Sequence, residues 1–341
     1  MKLRFFEPPP EQKTGGLNAA IDSLRIALEA LGHEVLINAS APLRGEADAT
    51  HFHGLWQRNF PSLATTCRRE GIPYVVSPHG MLEPWARRKK WWKKWPYFHL
   101  VERRWIAGAA CVLATAEPEA ARLRSIFTQS RVEAVPLGLT ADKRPNYASS
   151  RTRLGWNPGE TVLLFLSRIH EKKGLDMLVT ALAELHDSLP DAARLVIVGP
   201  EEQPGYAARC RDFIAQNAQR LPRTDWVGAV WGEDRWNYFQ GADLFCLPTH
   251  SENFGLAVLE ACQVGTPVLT TTETPWADTL GPECGFIARP EIGDIRTQLA
   301  RFFSKVRSST DERDALAAWA WKNYDWTMLA PRYAALYAGL R

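Results

Sequence analysis

Thr161-Val162-Leu163-Leu164-Phe165-Leu166 runs straight into Ser167-Arg168-Ile169-His170-Glu171-Lys172-Lys173-Gly174-Leu175. The first six residues hold no alternation of polar and apolar positions, so they read as a strand buried on both faces of a parallel sheet. A basic turn follows, and Gly174 stands where a helix begins. Leu195-Val196-Ile197-Val198 is a second continuous run of this kind. Further strands are predicted at 225–227, 244–247, 267–271 and 285–288, each separated from the next by a helix-length stretch. Such alternation predicts an α/β domain with helices on both faces of a parallel sheet.

The same pattern holds toward the N-terminus. A short strand at 3–6 meets the turn Lys13-Thr14-Gly15-Gly16-Leu17. Leu17, Ala20, Ile21, Leu24, Ala27, Leu28 and Leu31 then recur at helical spacing until Gly32, which suits a left-handed cap. Strands are predicted at 34–38, 49–53, 73–77, 110–114 and 132–135. From 140 to 159 the chain turns polar, with Pro145, Asn146, Ser149 and Ser150, and reads as a linker. The expected organisation is two doubly wound, Rossmann-like domains facing a central cleft, at 1–143 and 161–320. A linker at 144–160 joins them, and a last segment covers 321–341.

Composition agrees with a globular chain. Of 341 residues, 45% are hydrophobic and 23% charged, enough to bury a sizeable core. No apolar run approaches the roughly 18–20 residues of a membrane span, and the first residues do not read as a signal peptide. The six cysteines (Cys67, Cys111, Cys210, Cys246, Cys262 and Cys284) form no C-x-x-C pair and read as small buried hydrophobes. His51 and His53, with His79, lack a carboxylate partner nearby in sequence and read as packed side chains rather than metal ligands. Charge is unevenly placed: residues 1–145 carry 21 Lys and Arg against 14 Asp and Glu, the remainder 20 against 24. The first half is therefore the one expected to meet something anionic.

The first strand is not followed by G-x-G-x-x-G, and the chain has no P-loop, G-x-S-x-G or D-x-D. What it has is Thr249-His250-Ser251-Glu252-Asn253-Phe254-Gly255-Leu256-Ala257-Val258-Leu259-Glu260-Ala261, placed after a strand that ends at Pro248. Doubly wound folds bind ligands at such strand ends. A helix starting near Phe254 would turn its free N–H groups toward a phosphate. Glu252 and Glu260 would then lie roughly 12 Å apart along a helix axis, suiting two ends of one long ligand. Arg168 and Lys173, at the end of the 161–166 strand, suit a diphosphate. Gly15-Gly16 lets backbone approach a ligand closely, and His79 in Ser77-Pro78-His79-Gly80-Met81 sits at another strand end.

Taken together, these segments and Pro136-Leu137-Gly138 and Gly265-Thr266-Pro267-Val268 resemble the group 1 (family four) retaining glycosyltransferases of GT-B fold. The resemblance implies an acceptor-side first domain, a nucleotide-sugar-binding second domain, and a terminal helix at 321–341 that returns to the first. It implies that Glu260 holds the donor ribose and Glu252 the sugar hydroxyls. Arg168 and Lys173 hold the diphosphate, with N–H groups of Phe254, Gly255, Leu256 and Gly16; Gly15 and Asn253 complete the donor set. His79 faces the reacting carbon, so His79 and Glu252 are the expected catalytic pair. No metal and no cofactor beyond the nucleoside-diphosphate sugar is expected. Glu201, Glu202 and Trp231 fall near the expected base and fix no base preference.

The segment 85–105 holds eight Lys or Arg and five Trp. Trp85, Arg87, Arg88, Lys89, Lys90, Trp91, Trp92, Lys93, Lys94 and Trp95 have the composition of a surface that touches anionic head groups. They are expected to meet a membrane or an acceptor rather than nucleic acid. The function implied is transfer of a sugar to a glycan or lipid-linked acceptor in surface polysaccharide or glycolipid biosynthesis. The implied place is the cytoplasm, peripheral on the inner face of the membrane. Two alternatives stand beside it. A GT-B phosphorylase, or a nucleotide-sugar hydrolase or epimerase, would depend on free phosphate or act without an acceptor. A binding protein with a dead site would be indifferent to Glu260→Ala.

Overall fold

The computed structural model describes residues 1–9, 15–38, 40–85, 91–139, 146–282, 284–305 and 308–340. The chain divides into two compact units, Met1–Thr140 with Tyr324–Arg341, and Ala141–Asn323. In chain order the first contains β1 (Lys2–Phe6), α1 (Gly15–Ala30), β2 (Glu34–Ile37), β3 (Ala49–His53), α2 (Phe60–Arg69) and β4 (Tyr74–Ser77). There follow α3 (Trp91–Tyr97), a π-helical turn at Phe98–Glu102, α4 (Arg103–Ala107), β5 (Cys111–Ala114), α5 (Glu117–Ile126) and β6 (Val132–Ala134). Every predicted strand is present, within two residues at either end.

The six strands form one parallel sheet ordered β2-β1-β3-β4-β5-β6. The order reverses between β1 and β3, and at such a switch point the loops leave in opposite directions and open a crevice. One face of the sheet buries Phe5, Leu24, Leu28 and Val75; the other buries Phe52, Phe60, Tyr74 and Trp105. Each such side chain contributes about 1.5–3 kcal/mol of burial.

The second unit contains α6 (Tyr147–Leu154), β7 (Thr161–Leu166), α7 (Leu175–Glu184), β8 (Ala193–Val198), α8 (Pro204–Gln216), β9 (Arg223–Gly228) and α9 (Asp234–Gly241). After these come β10 (Leu244–Leu247), α10 (Leu256–Gln263), β11 (Val268–Thr271), β12 (Gly285–Ala288), α11 (Ile292–Ser304) and α12 (Thr310–Tyr324). Its parallel sheet runs β12-β11-β10-β7-β8-β9, with the switch point between β10 and β7. The opening stretch of the sequence, β7, is therefore a central strand, with Val162, Leu163, Leu164 and Phe165 wholly buried.

Two expectations need correction. Residues 146–160 are not a linker. Asn146 caps α6 by accepting from Ser149 N at 2.8 Å, and Gly155 ends it at φ 65°. The helix packs on α9, and Arg151, 3% exposed, donates to the carbonyls of Gly241 and Glu160 and to Asp243. Arg151 is thus a buried polar residue with partners, in a stretch that composition reads as a loop. The rest of that stretch, 140–145, lies outside the described residues. At the other end, the helix does not run through 321–341. It breaks at Asp325, whose side chain accepts from Thr327 N at 2.7 Å and starts α13 (Trp326–Ala338). Gly138 packs under Trp326, where a Cβ would come within 2.5 Å of the indole, and α13 lies on α1 in the first unit.

Candidate active site

In the second unit the loops that leave β7 and β10 are neighbours at the switch point, and the backbone interlocks them. Gly174 has φ 72°, and a Cβ there would stand 2.0 Å from Pro248 O. Only glycine permits this crossing. The Lys172 carbonyl accepts from His250 N and from Thr249 Oγ1, both at 2.8 Å. Thr271 Oγ1 donates to Thr249 O at 2.6 Å, and Glu252 N donates to Glu273 O, tying in the loop after β11. A second glycine, Gly199 at φ 149°, lies against the turn that carries Arg168; a Cβ there would stand 1.8 Å from Ser167 O.

Onto this frame fall four of the sequence-derived residues. Lys173 and Glu252 form an ion pair, with side chains 11% and 10% exposed. Burial pushes the Glu252 carboxyl up, but Lys173, Lys172 and Arg168 together outweigh it and hold it below the ordinary carboxylate value. Arg168 is paired with Glu202, and both remain open to solvent. Glu260, on α10, pairs with Arg235 of α9 at 2.9 Å, and the Arg235 guanidinium rests 4.8 Å from the Trp236 ring centroid.

The helix starts later than the sequence suggests. Gly255, at φ 78° and ψ 60°, precedes α10, whose first residue is Leu256. Phe254 lies ahead of it, buried edge-on against Trp276, whose indole N–H donates to the Phe254 carbonyl. Glu252 is therefore in the loop and only Glu260 is helical, so the helical ruler of 12 Å does not apply. Asn253 is in the same loop, half-buried.

Sequence reasoning missed Arg235 and Trp276. Neither lies in the motif, and no spacing brings α9 to Glu260. Glu201 pairs with Arg211, and Trp231 is 65% exposed.

In the first unit His79 follows β4 in the left-handed region, φ 50°, with Gly80 next at φ 73°. His79 Nε2 meets His53 Nδ1 at 3.1 Å, and burial pushes the His79 imidazole down to about 4, so the ring is neutral at neutral pH. His51 is held between Tyr337 OH at 2.7 Å and Ser77 Oγ at 2.8 Å; burial and the nearby His79 push it well down. Gly16, in the first turn of α1, has open space where a Cβ would stand. The side chain of Lys94 lies 5.7 Å from the Trp56 ring. Trp92 and Trp95 are 59% and 56% exposed, while Trp85 is half-buried. Arg87, Arg88, Lys89 and Lys90 lie outside the described residues, as do the side chains of Trp91 and Lys93. Five of the six cysteines are buried. Among the described residues, no cluster of three His, Cys, Asp or Glu stands where it could hold a metal, and no helix is long and apolar enough to cross a membrane.

Residues 147–315 match the family model for glycosyl transferases group 1, and 39–138 match that for the glycosyl transferase 4-like domain. A D-inositol 3-phosphate glycosyltransferase of Segniliparus rotundus is 33% identical over 172 residues, 48% of this chain and 37% of that protein. Its counterpart in Pseudarthrobacter chlorophenolicus is 30% identical over 243 residues, 67% of this chain and 55% of its own. The matches thus span between about a third and just over half of these relatives' length. Among solved structures, the sucrose-phosphate synthase of Thermosynechococcus elongatus superposes with TM-score 0.79 at 18% identity, covering 100% and 99% of the two chains. Anabaena Alr3699/HepE, solved in complex with UDP and glucose, gives 0.77 at 17%, covering 99% and 100%.

Proposed function

From the premise that this chain belongs to the group 1 glycosyltransferases and has the GT-B fold, we propose that it moves a sugar from a nucleoside-diphosphate donor to a glycan or lipid-linked acceptor. The observation that carries the reading is the interlocked pair of switch-point loops, with the enclosed Lys173–Glu252 pair between them. Such loops are held in place before any ligand arrives, which is what a site stabilising developing charge needs.

In this reading Arg168 and Lys173 receive the diphosphate, aided by the N–H groups of Gly255 and Leu256 at the start of α10 and of Gly16. A helix start favours an anion by about 0.3–1 kcal/mol. Arg168 exchanges its exposed partner Glu202 for phosphate oxygens. Glu260, aimed by Arg235, takes the ribose hydroxyls, and Glu252 those of the transferred sugar. To neutral His79 we assign a hydrogen bond to that sugar. The bond from the anomeric carbon to the diphosphate oxygen breaks, its electron pair leaving with the diphosphate. The acceptor oxygen bonds to the same carbon on the same face, and its proton passes to a phosphate oxygen, so configuration is retained. Fixed cations and N–H groups do the work of charge stabilisation, and the reading requires no metal.

The proposed acceptor lies at a membrane surface, in polysaccharide or glycolipid assembly, with the protein peripheral to the cytoplasmic face. Exposed Trp92 and Trp95 beside Lys94 support this. UDP and UDP-glucose occupy Alr3699/HepE, which makes UDP the first nucleotide to try. Calorimetry and thermal shift with UDP, GDP, ADP and dTDP, on wild type and Glu260→Ala, test the proposal. A ligand at about 100 times its Kd adds roughly 2.7 kcal/mol of apparent stability. Binding of one diphosphate that the variant loses is the expected result; indifference of the wild type to all four refutes it.

A further inference from the structure

Glu119 took no part in the sequence argument, yet it is among the most enclosed carboxyl groups of the first unit, 2% exposed. It lies in the first turn of α5, and its two oxygens reach different parts of the chain. Oε2 accepts from Thr115 N at 2.9 Å and from Thr115 Oγ1 at 3.1 Å. A carboxylate three residues into a helix that bonds back to the backbone before it is a capping arrangement, and helix stability accounts for it. Oε1 is not explained that way. It accepts from Gly80 N at 2.8 Å, across 39 residues of sequence, in the turn that follows β4.

That turn is an unfavourable one. His79 and Gly80 are consecutive left-handed residues, at φ 50° and 73°, and His79 has a Cβ that makes the region costly. Backbone in such a state persists only where its surroundings over-determine it, and it gathers at functional sites. Here α5 supplies the surroundings twice. Besides the Glu119 bond, Arg122 of α5 holds Glu83 at 2.8 Å, and Glu83 N in turn donates to Gly80 O at 3.1 Å. Met81 N donates to Pro78 O and closes the turn.

We propose that Glu119 is a positioning residue for His79: it fixes the Gly80 amide, and through it the left-handed turn that sets the direction of the imidazole. The inference rests on the role given to His79 above. Glutamine cannot satisfy all three donors, because its single oxygen must choose and its NH2 would confront an N–H. Aspartate, one methylene shorter, keeps the neighbouring Thr115 and falls short of Gly80.

The test is a cycle of Glu119→Gln, His79→Ala and the double variant, with Glu119→Asp as a second route should Glu119→Gln fold poorly. The readout is nucleoside diphosphate released from UDP-, GDP- and ADP-glucose with a membrane lipid extract supplied as acceptor, over the release without it, for whichever donor the wild type consumes. Displacing a reacting group by about 1 Å costs on the order of 100-fold. Glu119→Gln and Glu119→Asp should therefore lower kcat 10- to 100-fold, with the donor KM within about twofold, since the charged groups assigned to the donor, Arg168, Lys173, Glu252 and Glu260, all belong to the other unit. In the His79→Ala background the Glu119 change should have no further effect on kcat. Losses that multiply overturn the inference, as does a Glu119 variant with wild-type kcat beside an impaired His79→Ala. An unimpaired His79→Ala removes the assignment of His79 itself, and the inference goes with it. A wild type that consumes none of the three refutes the transferase reading and everything built on it.

Discussion

Lys173→Met is the perturbation that asks most of the proposed donor site. Lys173 and Glu252 are each about nine-tenths enclosed, so neither charge can recover its hydration when the other is removed. Breaking such a pair from one side costs about 3–5 kcal/mol, most of it the penalty of an uncompensated buried charge. Two cations nearby soften the loss here, because Lys172 and Arg168 also favour the ionised form of Glu252. The lower end, about 3 kcal/mol, is therefore expected. In a domain of this size each kcal/mol moves Tm by about 2–4 °C, so the second unit should melt about 6–12 °C lower.

The cycle also has a sign. In the wild type the Glu252 carboxyl lies below its unfolded value of 4.5, so its contribution is present above that pH and is lost as pH falls through the folded value. Without Lys173, burial meets less opposition, the carboxyl moves up from its wild-type value, and acidification should stabilise the variant relative to the wild type. Adding Glu252→Gln removes the stranded charge. The double variant should regain most of the lost stability while failing to bind the nucleoside diphosphate that the wild type binds. Scanning calorimetry at pH 4.5 and 7.5 on the wild type, Lys173→Met and the double variant reads all of this. A single variant that melts with the wild type, or a double variant no more stable than the single, refutes the reasoning.

Other outcomes follow from the same geometry. Gly174→Ala forces a Cβ to 2.0 Å from Pro248 O at a left-handed φ, so the two loops must part; nucleotide affinity should fall at least 10-fold, measured by calorimetry. Chelation with EDTA should leave donor turnover unchanged if, as proposed, cations of the chain serve the diphosphate; a loss restored by a divalent ion counts against the proposed chemistry. Burial pushes Glu102 up to about 7, so its proton is bound in the folded chain between pH 4.5 and 7, and raising pH through that window erodes stability. His51 and His79, pushed down, act in the opposite direction. Glu102→Gln should thus steepen the rise of stability with pH by up to about 1.4 kcal/mol per unit, seen in denaturant titrations. Trp92→Ser with Trp95→Ser should weaken co-sedimentation with vesicles of anionic lipid while leaving nucleotide binding alone.

What was legible in the sequence is what repeats or forbids alternatives. The strands were readable because a parallel sheet buries both faces and leaves continuous runs, as in β7 and β8. Gly174 was readable as a helix start, though not as a crossing point, because the contact with Pro248 spans two loops. The basic turn after β7 offered Arg168 and Lys173 as candidates, and the stretch 249–261 offered Glu252 and Glu260, by type and setting. It misplaced the helix start by two residues, since Phe254 is buried by Trp276 rather than by α10. Arg235 and Glu119 were invisible for one reason: each meets its target through tertiary packing, at separations no local pattern encodes. Arg151 hid differently. A buried cation paired with Asp243 and donating to carbonyls looks, in composition, like a residue of a polar loop.

Each unit pins a strand-end turn with an enclosed carboxylate, Glu252 in the second and Glu119 in the first, but with different partners. Glu252 is countered by a cation, so it holds position only while Lys173 is there, and in the proposed function a diphosphate arriving at Lys173 must renegotiate the pair. That makes the second unit's turn responsive to its ligand. Glu119 is countered by N–H groups and a hydroxyl, fixed dipoles that no incoming anion competes for directly. The first unit's turn is therefore expected to be the less responsive one. A transfer that needs one adaptable partner and one fixed reference would divide its carboxylates in this way. The division carries its own test: hydrogen exchange at the amides of 250–253 should respond to nucleotide, while that of Gly80 should not.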